Sequence, residues 1–144
     1  NLEKVNEIMA LNLNLPILMT KFIRQKLKPS GRYILVGSAV ADLGEIGMAH
    51  YSASKAGLEG LVRSLAKEFP YQKINVNLVV PHLIETDKTK NISQKIKQET
   101  IDKTCLGRLG KPEDVSGTIL FLLSDLSSYI TGQRICVNGG TYFN

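Results

Sequence analysis

Tyr51 and Lys55 stand four residues apart in Tyr51-Ser52-Ala53-Ser54-Lys55, so a helix through them sets a phenol and an ammonium one turn apart on the same face. A cation beside a phenol favours loss of the phenolic proton, which makes the pair a proton-transfer group with its own tuning charge. The spacing alone is a common coincidence in a chain with five tyrosines, and a solvated helix face would give it too. Its company is more informative. Ser38 follows a short apolar run, and Asn12 lies upstream in a helical pattern interrupted by Pro16. Proline has no N–H for the carbonyl four residues back, so the Asn12 carbonyl is released from the helical ladder and is free to bind water. Taken singly, Ser38 reads equally well as a loop hydrogen-bonder, Asn12 as a surface residue and Thr86 as a helix cap.

The elements that must position these groups follow from apolar spacing. Residues 2–27 carry Leu2, Val5, Ile8, Met9, Leu13, Leu18, Phe22, Ile23 and Leu27 at helical intervals, with a kink expected at Pro16. Residues 32–37 read as a short buried strand, and 38–47 as a loop. A helix is expected over 50–69, with Ala53, Gly57, Leu58, Leu61, Leu65 and Ala66 inward and Pro70 ending it. The next strand, 74–80, is rich in β-branched residues and is expected to stop at Pro81. Residues 85–109 are polar and lysine-rich, with Ile92, Ile96 and Ile101 marking a short amphipathic helix, a composition suited to a mobile lid. Pro112, Glu113 and Asp114 make a favourable helix start, and a last strand is expected over 133–137. Three alternations of helix and strand predict an α/β fold with a parallel sheet and right-handed crossovers.

Composition narrows the function classes. The 144 residues, 43% hydrophobic, suit one globular domain over 1–144. The longest apolar runs are far shorter than the roughly 20 residues that cross a bilayer, so no membrane partner is expected. A net charge of +5 spread along the chain, with few aromatics near the lysines, argues against nucleic acid. Cys105 and Cys136 stand apart from each other and from histidine pairs, which suggests partly buried thiols in a cytoplasmic protein, with neither a zinc site nor a disulfide framework. The chain begins with Asn1 rather than methionine and carries no leader pattern, so it is read as a piece of a longer protein.

These residues resemble the short-chain dehydrogenase/reductase family, especially its beta-ketoacyl-acyl-carrier-protein reductase-like members. The resemblance rests on LNL around Asn12, GRYILVGSA ending near Ser38, YSASKAGLEGLVRSLAKEF, INVNLVVPHLIETD, GRLGKPEDV and YITGQRICVNGG, with Ser38 thirteen residues before Tyr51. It implies the carboxyl-terminal part of a Rossmann-like doubly wound parallel sheet, about three strands with flanking helices, without the amino-terminal dinucleotide-binding unit. The activity implied is hydride transfer between the nicotinamide of NADP or NAD and a carbonyl or alcohol, the substrate being a 3-oxoacyl thioester or a similar ketone. By the same resemblance Tyr51 exchanges the proton and Ser38 hydrogen-bonds the reacting oxygen. Lys55 holds the nicotinamide ribose, and a water on the Asn12 carbonyl resupplies the proton. Pro81, His82, Ile84 and Thr86 would lie against the nicotinamide, although His82 stands where the family usually has glycine. Homo-oligomers, dimers or tetramers, are expected through the helices at 2–27 and 50–69. The alternative is a truncated, catalytically silent remnant that serves as an interaction module, with an unpaired strand edge at 32–37.

Overall fold

Pro16 shapes the first helical segment of the computed structural model, which describes residues 1–69 and 72–143. Helix α1 runs Leu2–Met9 and α2 runs Leu15–Lys26, with a π-helical turn over Ala10–Asn14 between them. The Leu15 N–H reaches back five residues to the Ala10 carbonyl. The irregularity expected at Pro16 thus takes the form of a widened turn just before the proline. The expectation that Pro70 ends a helix lies outside the described residues.

Strands β1 (Arg32–Val36), β2 (Asn75–Pro81) and β3 (Arg134–Val137) form a parallel sheet in the order β1-β2-β3. Arg32 pairs with Asn75 and Val36 with Val79, while Leu78 pairs with Arg134 and Pro81 with Val137. Pro81 therefore completes the central strand instead of stopping it. Only its N–H is missing, and its carbonyl still accepts from the Ala39 N–H at 2.9 Å.

The crossovers are α3 (Val40–Leu43) and α4 (Ala49–Glu68) after β1, then α5 (Gln94–Lys103) and α6 (Pro112–Leu123) after β2. The segment 38–47 is thus more than a loop, since it contains α3. On one sheet face Val76, Leu78 and Val80 of β2 pack with Leu58, Val62 and Leu65 of α4. Burial of a strand on both faces removes the apolar–polar alternation, and β2 is buried from Asn75 to Val80. Its two polar residues are satisfied by the loop entering β3. Asn77 donates to Ile130 O at 2.8 Å and accepts from Gln133 N–H at 3.0 Å, and Asn75 donates to Ser128 O and Ile130 O.

Helix α4 has two inward faces rather than the single one expected. Ser54, Leu58, Val62 and Leu65 are buried, whereas Ala53 is exposed. Gly57 faces the π turn, where a Cβ would come within 2.8 Å of the Leu13 methyls. In the segment between β2 and α6, a 3₁₀ turn at Asp87–Thr89 precedes α5, so Ile92 falls outside the helix it was expected to mark. Cys105 is exposed rather than partly buried, and neither cysteine forms a disulfide. Among the described residues no helix is long and apolar enough to cross a membrane.

Candidate functional site

The amino-terminal half of α4 lies over the carboxyl end of β1, and two hydrogen bonds fix the fit. Lys55 Nζ donates to Val36 O at 3.0 Å, and Ser52 Oγ donates to Val40 O at 2.9 Å. Ser38 sits between those two anchored residues, its Oγ accepting from the Val40 N–H at 3.3 Å. A serine hydroxyl that accepts in this way keeps its own proton free to donate. Tyr51 and Lys55 occupy one face of α4, with Nζ 5.9 Å from the centre of the Tyr51 ring. Burial lowers the Lys55 pKa from its ordinary value, because desolvation penalises the charged form.

Asn12 reaches this cluster from the π turn. Its Nδ2 donates to Ser54 Oγ at 3.2 Å, and Ser54 Oγ donates to Tyr51 O at 2.7 Å. The turn of α4 that carries Tyr51 is thereby fastened to the first helical segment. The sequence points to the backbone carbonyl of Asn12, and the structure adds its side-chain amide. Ser52 and Ser54 were not singled out. The available signal was a serine inside a helix, whose hydroxyl must find a partner when buried.

At the carboxyl end of β2, Pro81, His82 and Ile84 are half-buried and Thr86 is exposed. The His82 N–H bonds Val137 O at 3.1 Å, extending the ladder beyond Pro81. Its ring turns toward the segment after β3, with Nδ1 3.4 Å from Thr141 Oγ1 and an edge-to-face approach to Tyr142. Burial lowers the His82 pKa. Ile84 bridges to Gly110, and a Cβ at Gly110 would collide with the Ile84 side chain. Thr86 opens the 3₁₀ turn, its N–H bonding Thr89 Oγ1 at 2.8 Å.

A sequence model of the family described as "Enoyl-(Acyl carrier protein) reductase" matches residues 1–142. The chain belongs to this family of short-chain dehydrogenases/reductases. It is 44% identical over 138 residues to the 3-oxoacyl-acyl-carrier-protein reductase FabG of Aquifex aeolicus, covering 94% of this chain and 56% of that protein. Against the Escherichia coli FabG it is 39% identical over 142 residues, 97% of this chain and 58% of the relative. Among solved structures, a glucose/ribitol-type short-chain dehydrogenase/reductase from Brucella melitensis superposes with a TM-score of 0.92 at 33% identity, over 97% of this chain and 57% of the other. A blue fluorescent protein from a metagenomic library, solved in complex with NADPH, superposes with a TM-score of 0.92 at 28% identity, over 99% of this chain and 58% of the other. The chain thus spans little more than half the length of the relatives it matches.

In this short-chain dehydrogenase/reductase chain the eight residues singled out from the sequence fall into two groups. Asn12, Ser38, Tyr51 and Lys55 are tied into one patch through α4, whereas Pro81, His82, Ile84 and Thr86 line the exit of β2. A cavity of about 520 Å³ adjoins the second group, bounded by His82, Ile84, Arg108, Asn138 and Phe143, and it does not touch Ser38, Tyr51 or Lys55.

Proposed function

We propose that this chain is the proton-transfer half of an NAD(P)-dependent oxidoreductase that interconverts a carbonyl and an alcohol. The observation that carries the reading is Tyr51 and Lys55 sharing one face of α4 while Lys55 and Ser52 brace the strand end that bears Ser38. When bound, a nicotinamide would supply the hydride. In the reducing direction the Tyr51 hydroxyl gives its proton to the substrate oxygen, and the free Ser38 O–H donates a hydrogen bond to that same atom. Lys55 uses one of its three donors on Val36 O, which leaves two for the hydroxyls of a nicotinamide ribose. The chemistry of the donors fits that end of the cofactor. Pro81, His82, Ile84 and Thr86 would contact the nicotinamide, His82 through its backbone, since its ring is turned toward Thr141.

The finer reading is a 3-oxoacyl thioester substrate, which the FabG relatives support. A homo-oligomer is supported by Leu11, Leu15, Leu18 and Phe22, which form an exposed apolar stripe along the first helical segment. The test is the full-length gene product assayed for NADH and NADPH oxidation with 3-oxoacyl thioesters and simple ketones. Turnover that favours the thioester is the expected result. Failure to oxidise either cofactor with any of them would overturn the reading, and sedimentation as a monomer at micromolar concentration would overturn the oligomer.

A further inference from the structure

The four residues of α3 cannot hold a helix by their own hydrogen bonds. Gly44 and Gly47, both with positive φ and no neighbour near the position of a Cβ, follow it, and Ile46 between them is 98% exposed. The conformation of this segment, which begins next to Ser38, therefore depends on ties from elsewhere. Two are described above: Ala39 N–H to Pro81 O, and Ser52 Oγ to Val40 O. The third is a cluster of charges at the opposite end of α3. Arg134 of β3 pairs through Nη2 with Asp42 Oδ2, and Tyr142 OH donates to the same carboxylate oxygen at 2.8 Å. Arg134 Nε lies 2.8 Å from Glu59 Oε1 of α4, an ion-pair contact rather than an aligned hydrogen bond, since this nitrogen has no hydrogen-bond partner.

We propose that Arg134 and Tyr142 are positioning residues that lock α3, and through it Ser38, against the turn of α4 that carries Tyr51. The inference rests on the oxidoreductase reading above. An isolated surface ion pair would have little effect. Here the Arg134 side chain is 17% exposed and those of Asp42 and Glu59 are each 25% exposed, so solvent screens the cluster less than it would a surface pair. The guanidinium also stands between two carboxylates on different helices. Without it, Asp42 and Glu59 would repel each other and push α3 away from α4. Tyr142 belongs to the turn after β3 whose Thr141 hydroxyl meets Thr104 Oγ1 at 3.0 Å and whose Gly139 carbonyl accepts from Leu106 N–H at 3.1 Å. The serine segment and the end of the lysine-rich segment thus share one anchor.

The test uses the full-length protein with Arg134→Met, Arg134→Lys and Tyr142→Phe. Displacement of a reacting group by a fraction of an ångström lowers kcat more than it weakens binding. Arg134→Met is expected to lower kcat about tenfold and Tyr142→Phe about threefold, with the cofactor KM within about twofold of the parent. Arg134→Lys should recover part of the loss by restoring the charge without the planar fork. Amide exchange supplies a readout independent of turnover: residues 39–43 should exchange about tenfold faster in Arg134→Met while 58–65 of α4 stay protected. Unchanged kcat with unchanged exchange at 39–43 would overturn the lock, as would a uniform rise in exchange with a lowered Tm, which marks general destabilisation. Should the parent oxidise neither NADH nor NADPH, the functional reading fails while the exchange pattern still decides whether Arg134 holds α3.

Discussion

Ser54, beneath Tyr51 on α4, is fully buried and bonded to both Asn12 and the helix backbone, whereas Thr86, on the far side of the candidate site, is exposed and bonded within its own turn. The contrast extends to the surroundings of each. Leu58, one turn beyond Ser54, is 2% exposed in the core, while Ile96, in the lysine-rich segment after Thr86, is 51% exposed. One side of the site is positioned by the packed sheet and needs no partner to hold its geometry. The other is an exposed surface held by short-range bonds within its own turn.

Substitutions on the two sides should therefore fail in different ways. The largest effect is expected for Tyr51→Phe in the full-length protein, which should lower kcat by about 10²–10⁴-fold without lowering Tm. Thr86→Val should instead leave kcat nearly intact and raise the cofactor KM by about three- to tenfold, as measured by steady-state kinetics. In denaturant titrations, Leu58→Ala is expected to cost about 2–5 kcal/mol by opening a core cavity. Ile96→Ala should stay within about 0.5 kcal/mol. Equal costs at these two positions would erase the distinction between a packed half and a surface half.

A subtler effect sits at the boundary between the two sides, in His82. Burial lowers its pKa from 6.5, so just below pH 6.5 the unfolded chain binds more protons than the native one. Stability then falls as pH drops through the window between the folded value and 6.5, and levels off once both states are protonated. Urea midpoints measured across that range should show this slope, and His82→Gln should flatten it. A slope that survives the substitution would place its origin elsewhere.

The same division governs how much could be read from the sequence. The alternation of helices and parallel strands was legible because apolar spacing acts locally, and β2 announces itself as a run of buried residues. That Tyr51 and Lys55 share one face of a helix, and that Ser38 follows a strand, was legible because both are local patterns. The inward face of α4 was only half legible: Leu58 and Val62 face the sheet while Ser54 and Gly57 meet Asn12 and Leu13, and the sequence does not say that two partners meet this helix on different sides. Helix α3 was missed for a related reason. Its four residues have no periodicity to show, and their ties come from distant positions, among them Pro81, Ser52 and Arg134, the last ninety-two positions away from Asp42. Pro81 misleads because a proline cannot donate to the ladder, yet here it still pairs with Val137 as the last residue of β2.

The π turn over Ala10–Asn14 has a consequence for insertions and deletions. A π turn is what a regular helix makes of one surplus residue, and at 3.6 residues per turn each residue swings the helix by about 100°. Deleting a single residue from Ala10–Asn14 would let the segment close into a regular α-helix with the faces of α1 and α2 unchanged, so the loss would fall on the turn itself, on the contacts of Asn12 with Ser54 and of Leu13 with Gly57. An alignment gap of one position there would mark a π turn closed to a regular one, not a shortened loop.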